Sequence, residues 1–291
     1  MFSYLRRRRP NHPMPDRGDA VVLMYHSISA APHDPWRLHI GADRFEEHVR
    51  VIRRRYRPLS LRQLAAHVLD GDIPSRSVVV TFDDGYRDNF TVAKPLLEEN
   101  GVPATVFVTS HYVGVDRDFW WEELEAVCAA LRVDARQEWE RLRPLGLGER
   151  EAELDRLWAA VGQSRPRAAF VLTRDELTDL GASPLIEIGA HTRSHPHLAT
   201  LSELEQEQEI EGSRRELEAN VGAPVTSFSY PHGDFSQVTR RLVQAAGFTV
   251  ACTTKSRPVS SASALLELPR VHALGWDAAT FTRELDRRLA S

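Results

Sequence analysis

Asp83 and Asp84 stand side by side directly after the apolar run Val78–Phe82, and His191 and His195 stand four residues apart directly after Leu185–Ala190. Two imidazoles at that spacing can be aimed at one cation by a turn of helix or a tight loop. Pro196 suits the loop, because it disfavours helix at His195. An oxygen from Asp84 would complete a three-ligand facial site with positions left open for water and substrate. Adjacent carboxylates can divide two tasks, since neighbouring side chains diverge. Asp84 holds the ion, and Asp83 takes the proton of an attacking water whose pKa the ion has lowered. Gly85 allows the sharp backbone turn beneath them. A tetrahedral intermediate also needs an oxyanion site, which the ion and a backbone N–H near His232 can supply. The leaving amine needs a proton, and His26, directly after Val21–Tyr25, is the best candidate donor. Taken singly, each feature has a plainer reading: surface or capping histidines, a helix-capping Asp83, a structural His26.

What joins them is where the elements put them. Apolar runs at Ala20–Tyr25, Val78–Phe82, Ala104–Val108, Leu185–Ala190, Val225–Tyr230 and Phe248–Cys252, with a weaker one near Val271–Leu274, predict strands. Between them lie helical patterns at Asp43–Arg55, Ser60–Leu69, Asn89–Asn100, Ser202–Asn220, Ser236–Ala246 and Asp277–Leu289. Ser60 opens one helix, and Gly101 with Pro103 and Gly222 with Pro224 close two others. This alternation predicts parallel β with crossover helices, as in an α/β barrel or a doubly wound sheet. Four strands then deliver His26, Asp83–Asp84, His191 and Tyr230–His232 at their C-terminal ends, where such folds build active sites. The stretch from about Asp118 to Leu180 breaks the rhythm and is too long for a connection. It carries Trp120, Trp121, Trp139 and Trp158 and reads as a helical insertion, its tryptophans either its own core or a wall over the site.

The 291 residues suffice for one large α/β domain, and a net charge of −4 excludes the usual nucleic-acid binder. Residues 1–19 read as a flexible, basic and Pro-rich segment, and 20–291 as the domain. Basic clusters at Arg6–Arg9 and Arg53–Arg55 and the acidic cluster Glu203–Glu211 are expected on solvated faces. Two cysteines, Cys128 and Cys252, cannot form a disulfide framework. Prolines follow Arg6–Arg9 where the apolar core of a signal peptide would stand, and no run is long enough for a membrane helix. A cytoplasmic location without stable membrane insertion is therefore expected, although a substrate outside the membrane could imply export; the oligomeric state is open.

Thr81-Phe82-Asp83-Asp84-Gly85 together with His191-Thr192-Arg193-Ser194-His195 resembles the first two motifs of the polysaccharide deacetylases, the carbohydrate esterase family 4 or NodB-homology domain. The resemblance implies a distorted (β/α)7-type barrel and one divalent ion, zinc first and cobalt or nickel next, on Asp84, His191 and His195. It implies Asp83 as base and an acetylated amino-sugar glycan as substrate. Ser229-Tyr230-Pro231-His232-Gly233 is similar to the third motif, which assigns Tyr230 and His232 to substrate and oxyanion binding. Ser229 stands where that motif has arginine, and Arg270 is the candidate replacement supporting Asp83. Leu23-Met24-Tyr25-His26 resembles the last motif, at the opposite end of the chain from its usual place. That order is similar to the circularly permuted branch that includes poly-N-acetylglucosamine deacetylases, and it makes His26 the general acid, with His272 as competitor.

Other classes remain at this point. A non-haem Fe(II) oxygenase uses the same ligands, an aspartyl phosphoryl-transfer hydrolase uses a strand-end Asp, and a glycan-binding module could keep the pocket without turnover. The family also contains O-acetyl esterases, so the bond type is open, as is the glycan.

Overall fold

Short Val-, Leu- and Phe-rich runs bounded by turns form strands because their branched side chains pack on both faces of a covered parallel sheet. The structure is a computed structural model that describes residues 18–31, 34–162, 164–273 and 275–290. The expected flexible N-terminal segment lies outside the described residues except for Gly18 and Asp19, and so does Leu274.

The strands are β1 (Ala20–Tyr25), β2 (Arg57–Pro58), β3 (Ser77–Phe82), β4 (Ala104–Val108), β5 (Ile186–Ala190), β6 (Ser227–Ser229), β7 (Val250–Cys252) and β8 (Val271–His272). The helices are α1 (Ala42–Arg55), α2 (Leu61–Asp70), α3 (Lys94–Asn100), α4 (Trp120–Leu131), α5 (Ala135–Leu142), α6 (Leu147–Val161), α7 (Arg174–Gly181), α8 (Glu203–Val221), α9 (Gln237–Ala245) and α10 (Ala278–Leu289). Among the described residues the strands form one parallel sheet in the order β7-β6-β5-β4-β3-β1-β8, with β2 paired to β3. The sheet curls until its ends nearly meet. Leu268 bridges Cys252 beside β7, and three residues later Val271 pairs with Leu23 of β1. The result is the expected distorted (β/α) barrel.

Alternation along the strands sorts the core. Val21, Leu23 and Tyr25, Val78, Val80 and Phe82, and Val106 and Val108 pack in one cluster with Phe45 and Val49 of α1 and Ile210 and Leu217 of α8. Ala20, Val22, Val79, Phe107 and Cys252 form a second cluster with Leu61, Leu64 and Val68 of α2. Residues of this second parity face the barrel interior, so α2 plugs it. Ser60 accepts a hydrogen bond from the Gln63 N–H, and the Gln63 side chain accepts from the Ser60 N–H, which fixes where α2 begins.

Three expectations need correction. The helix expected over Asn89–Asn100 opens with a widened π turn at Asn89–Ala93, because Pro95 has no N–H for the carbonyl one turn back. Strands β6 and β7 are shorter than their apolar runs, which continue into loops. The insertion ends before Leu180: Leu177 and Leu180 of α7 belong to the main core, whereas α4, α5 and α6 build their own around Trp120, Leu124, Leu142 and Trp158. No described helix is long and apolar enough to cross a membrane.

Gly85 and Gly101 both sit in left-handed backbone, at φ 82° and 62°. A Cβ on Gly85 would lie 3.0 Å from Val108 Cγ1 and 3.3 Å from its Cα, whereas one on Gly101 meets nothing within 4 Å. Gly101→Ala is therefore expected to cost about 1 kcal/mol, the left-handed penalty alone. Gly85→Ala should cost about 1–3 kcal/mol. Urea unfolding of the two variants checks the order, and equal losses would contradict it.

Candidate functional site

Parity explains most of the site. His26, Asp83, Ser229 and Arg270 continue the inward-facing set of their strands, so each points into the barrel mouth. Asp84 has the wrong parity, and a left-handed backbone (φ 71°) turns it round. Thr192, His195 and His232 are also left-handed, at φ 64°, 58° and 59°. Such non-glycine residues are uncommon and gather where a site over-determines them.

Arg270 is fully buried, and its guanidinium grips Asp83 bidentately, Nη1 to Oδ1 at 2.6 Å and Nη2 to Oδ2 at 2.7 Å. Nη2 also donates to Ser229 Oγ at 2.8 Å, and Nε to the Thr253 carbonyl at 3.0 Å. Burial alone would raise the Asp83 pKa. The Arg270 charge, with His191, the Arg270 hydrogen bonds and His26, overcomes it and holds the carboxyl well below the usual range.

Beside this pair, Asp84 Oδ1 lies 3.5 Å from His191 Nε2 and 3.6 Å from His195 Nε2. These three ligand atoms fall within 4.8 Å of one another. Asp84 Oδ1 is buried without a hydrogen-bond partner, and burial, then Asp83 and Glu122, push its pKa well up. Burial likewise lowers His191 and His195, which keeps both imidazoles neutral. The contact of His191 Nδ1 with the Ser229 carbonyl, 2.8 Å, assigns the proton to Nδ1 and leaves Nε2 a lone pair. An orphaned carboxylate oxygen facing two basic imidazole nitrogens suits a divalent cation, so these residues fit one.

Much of the support escaped the sequence reading. Glu209 on α8 accepts from the N–H groups of Arg193 and Ser194, at 2.8 and 2.9 Å, and from Ser194 Oγ at 2.7 Å. It thereby pins the loop that carries both histidines, which corrects the solvated-face reading of Glu203–Glu211 at this one residue, while Glu203, Glu205 and Glu207 are exposed as expected. Thr192 Oγ1 accepts from the His195 N–H at 3.0 Å. Asn89 Nδ2 donates to the His26 carbonyl at 2.8 Å, tying the end of β1 to the π turn after β3. Nothing in the local sequence of these loops pointed to Glu209.

His26, Asp83, Asp84, His191, His195 and His232 all line one cavity of about 310 Å³. His272 is not among its lining residues, although its ring lies 5.4 Å from that of His26. Burial pushes the His26 imidazole down to about 3, against the pull of Asp83 and with His272, Arg270 and His191 adding to the fall. Tyr230 is a correction. It has the outward parity of Phe228 and packs in the helix-facing core; its N–H donates to the Cys252 carbonyl (3.1 Å) and its hydroxyl to the Leu266 carbonyl (3.0 Å). Neither group is available to a substrate. Trp120 and Trp121 satisfy both readings offered for them: they are core to the insertion, and they also wall the cavity.

Comparison with known proteins agrees. Residues 70–251 match the model of the polysaccharide deacetylase family. YxkH of Bacillus subtilis (strain 168), named for the same family, is 23% identical over 252 residues, which are 86% of this chain and 70% of that protein. The Streptococcus pyogenes deacetylase PplD in complex with acetate superposes with a TM-score of 0.66 at 19% identity, covering 92% of this chain and 98% of that one. IcaB from Ammonifex degensii gives 0.65 at 18%, covering 92% and 96%. The BpsB deacetylase domain from Bordetella bronchiseptica gives 0.62 at 18%, covering 89% and 98%. At such identities these likenesses concern the fold. The family match spans more than half of the chain and takes in both aspartates and both histidines, leaving His26 and Arg270 outside it, so the chain belongs to the polysaccharide deacetylase family of hydrolases.

Proposed function

We propose that this enzyme hydrolyses N-acetyl groups on an amino-sugar glycan, with Asp83 as base and His26 as acid. A divalent cation, zinc by first choice, would be held by Asp84, His191 and His195. The observation that carries the reading is the Arg270-gripped carboxylate of Asp83 beside three convergent ligand atoms in one cavity. A bound ion would polarise the acetyl carbonyl and lower the pKa of the attacking water.

Every other role falls to the chain. Asp83 stays ionised because Arg270 balances it, and its remaining lone pairs take the water's proton as oxygen adds to the acetyl carbon. The backbone N–H of His232 is the proposed donor to the oxygen that becomes negative. His26 is neutral at the outset, so it must receive a proton before giving one. Negative charge developing beside the ring raises its proton affinity, and the proton taken from water reaches the amine nitrogen through it. The C–N bond then breaks, and acetate and the free amine leave. The same geometry would serve an O-acetyl ester.

Metal analysis of purified His191→Ala should find stoichiometry near zero against about one ion for the parent. An unchanged metal content would move the ion elsewhere. Asp83→Asn should keep its metal yet lose about 10²–10⁴ in kcat, measured as acetate released from N-acetylglucosamine oligomers. An amide offers the Arg270 fork a single oxygen, so that variant should also melt lower; a wild-type rate would remove Asp83 as base. His26→Ala should cut kcat with metal content and KM near normal, because the amine then lacks the group that relays its proton. His272→Ala should be mild. Exchange of these two behaviours would give the acid role to β8.

A further inference from the structure

The insertion and the loop after β1 meet over the cavity. Trp139 of α5 lies at the centre of that meeting, with its ring centroid 5.5 Å from Trp36, 6.2 Å from Trp120 and 6.4 Å from His232. Trp36 belongs to the loop that follows β1, and His232 to the loop that follows β6. In the sheet these strands are separated by β3, β4 and β5, of which β3 brings Asp83 and Asp84 and β5 brings His191. The aromatic arc Trp36–Trp139–His232 therefore spans the barrel mouth from one side of the catalytic group to the other. Trp139 is held in place: Arg143 stacks on it at 5.1 Å, and Trp120 beneath it carries the buried Arg150 guanidinium at 4.5 Å. Arg150 in turn donates to the Leu145 carbonyl just beyond α5, at 2.8 Å.

On the deacetylase reading above, we infer that this arc makes the site a pocket for the end of a glycan chain. Trp36 and Trp139 are its specificity-determining residues, closing the path an internal sugar would need. A glycan threaded across the arc would have to part rings that touch. The cavity, about 310 Å³, is also near the lower end of the roughly 300–1,000 Å³ usual for small-ligand sites. That suits a terminal sugar and its acetyl group better than several consecutive residues. The walls suit sugar as well. Faces of indole rings take the C–H faces of a pyranose, and Trp36, Trp120, Trp121 and Trp139 all line the cavity.

The test uses hexa-N-acetylglucosamine, with the deacetylated position read by tandem mass spectrometry after partial turnover. The parent enzyme should remove acetyl from a terminal residue first, and its kcat/KM should stop rising once the oligomer passes the length the pocket holds. Trp36→Ala, in a loop outside the insertion core, and Trp139→Ala should each raise the proportion of internal deacetylation by about tenfold, the scale of one lost pocket contact. Circular dichroism shows whether α5 survives in Trp139→Ala, and Trp36→Ala decides the matter if it does not. Acetate released evenly along the chain by the parent, or product patterns unchanged in both variants, overturns the chain-end proposal and leaves the deacetylase reading standing. No acetate from any N-acetylated oligomer overturns both.

Discussion

A carboxylate withdrawn from water must be paired, and in this protein the pairing of Asp83 with Arg270 also closes the barrel. Removing one partner from a buried ion pair typically costs about 3–5 kcal/mol, because the other is left charged in a poor solvent. Arg270 sits where the chain passes from its bridge with β7 to its pairing with β1. Its Nε holds the Thr253 carbonyl beyond β7, while its Nη atoms hold Asp83 beyond β3. The segment that joins the two edges of the sheet is thus fixed by the same guanidinium that keeps the proposed base ionised. Fold closure and site electrostatics share one residue.

Around this pair, the site is built from backbone held in uncommon conformations. Asp84, Thr192, His195 and His232 are all left-handed without being glycine, each at a cost of order 1–3 kcal/mol. The surroundings hold them there. Thr192 Oγ1 and Glu209 accept the loop's N–H groups, the Ser229 carbonyl orients His191, and Trp121 packs its ring 4.9 Å from that of His195. The strain turns two consecutive aspartates and two loop histidines toward one point, which a regular strand or helix could not do.

The insertion is attached to this framework by polar contacts as well as by packing. Tyr86, two residues after Asp84, donates to Glu122 at 2.6 Å and accepts from Trp121 Nε1 at 2.8 Å. Glu122 also meets His39 at 3.4 Å, which raises the His39 pKa against its burial. A chain of hydrogen bonds thus runs from the loop after β1, through the insertion, to the turn that carries the aspartates, and it fixes where the tryptophan walls stand over the cavity.

Much of the architecture was written in local pattern. Short apolar runs and amphipathic helices with Ser and Gly boundaries carry their own free-energy preference, so seven strands and the main crossover helices were legible from residue order alone. The pairs Asp83–Asp84 and His191–His195 were legible too, because short spacing after a buried run restricts where side chains can go. What lay beyond local pattern was decided by contacts between residues far apart in the chain. Arg270 reaches Asp83 across 187 positions, and its place there follows only once the sheet curls. Glu209 looks like one more solvated glutamate until α8 packs beside the histidine loop. Tyr230 looks like part of the site by motif, yet strand parity and the Cys252 and Leu266 carbonyls draw it into the core. Trp36 and Trp139 meet only in the folded chain, since ring-to-ring contact depends on where the insertion docks and no spacing in the sequence encodes it.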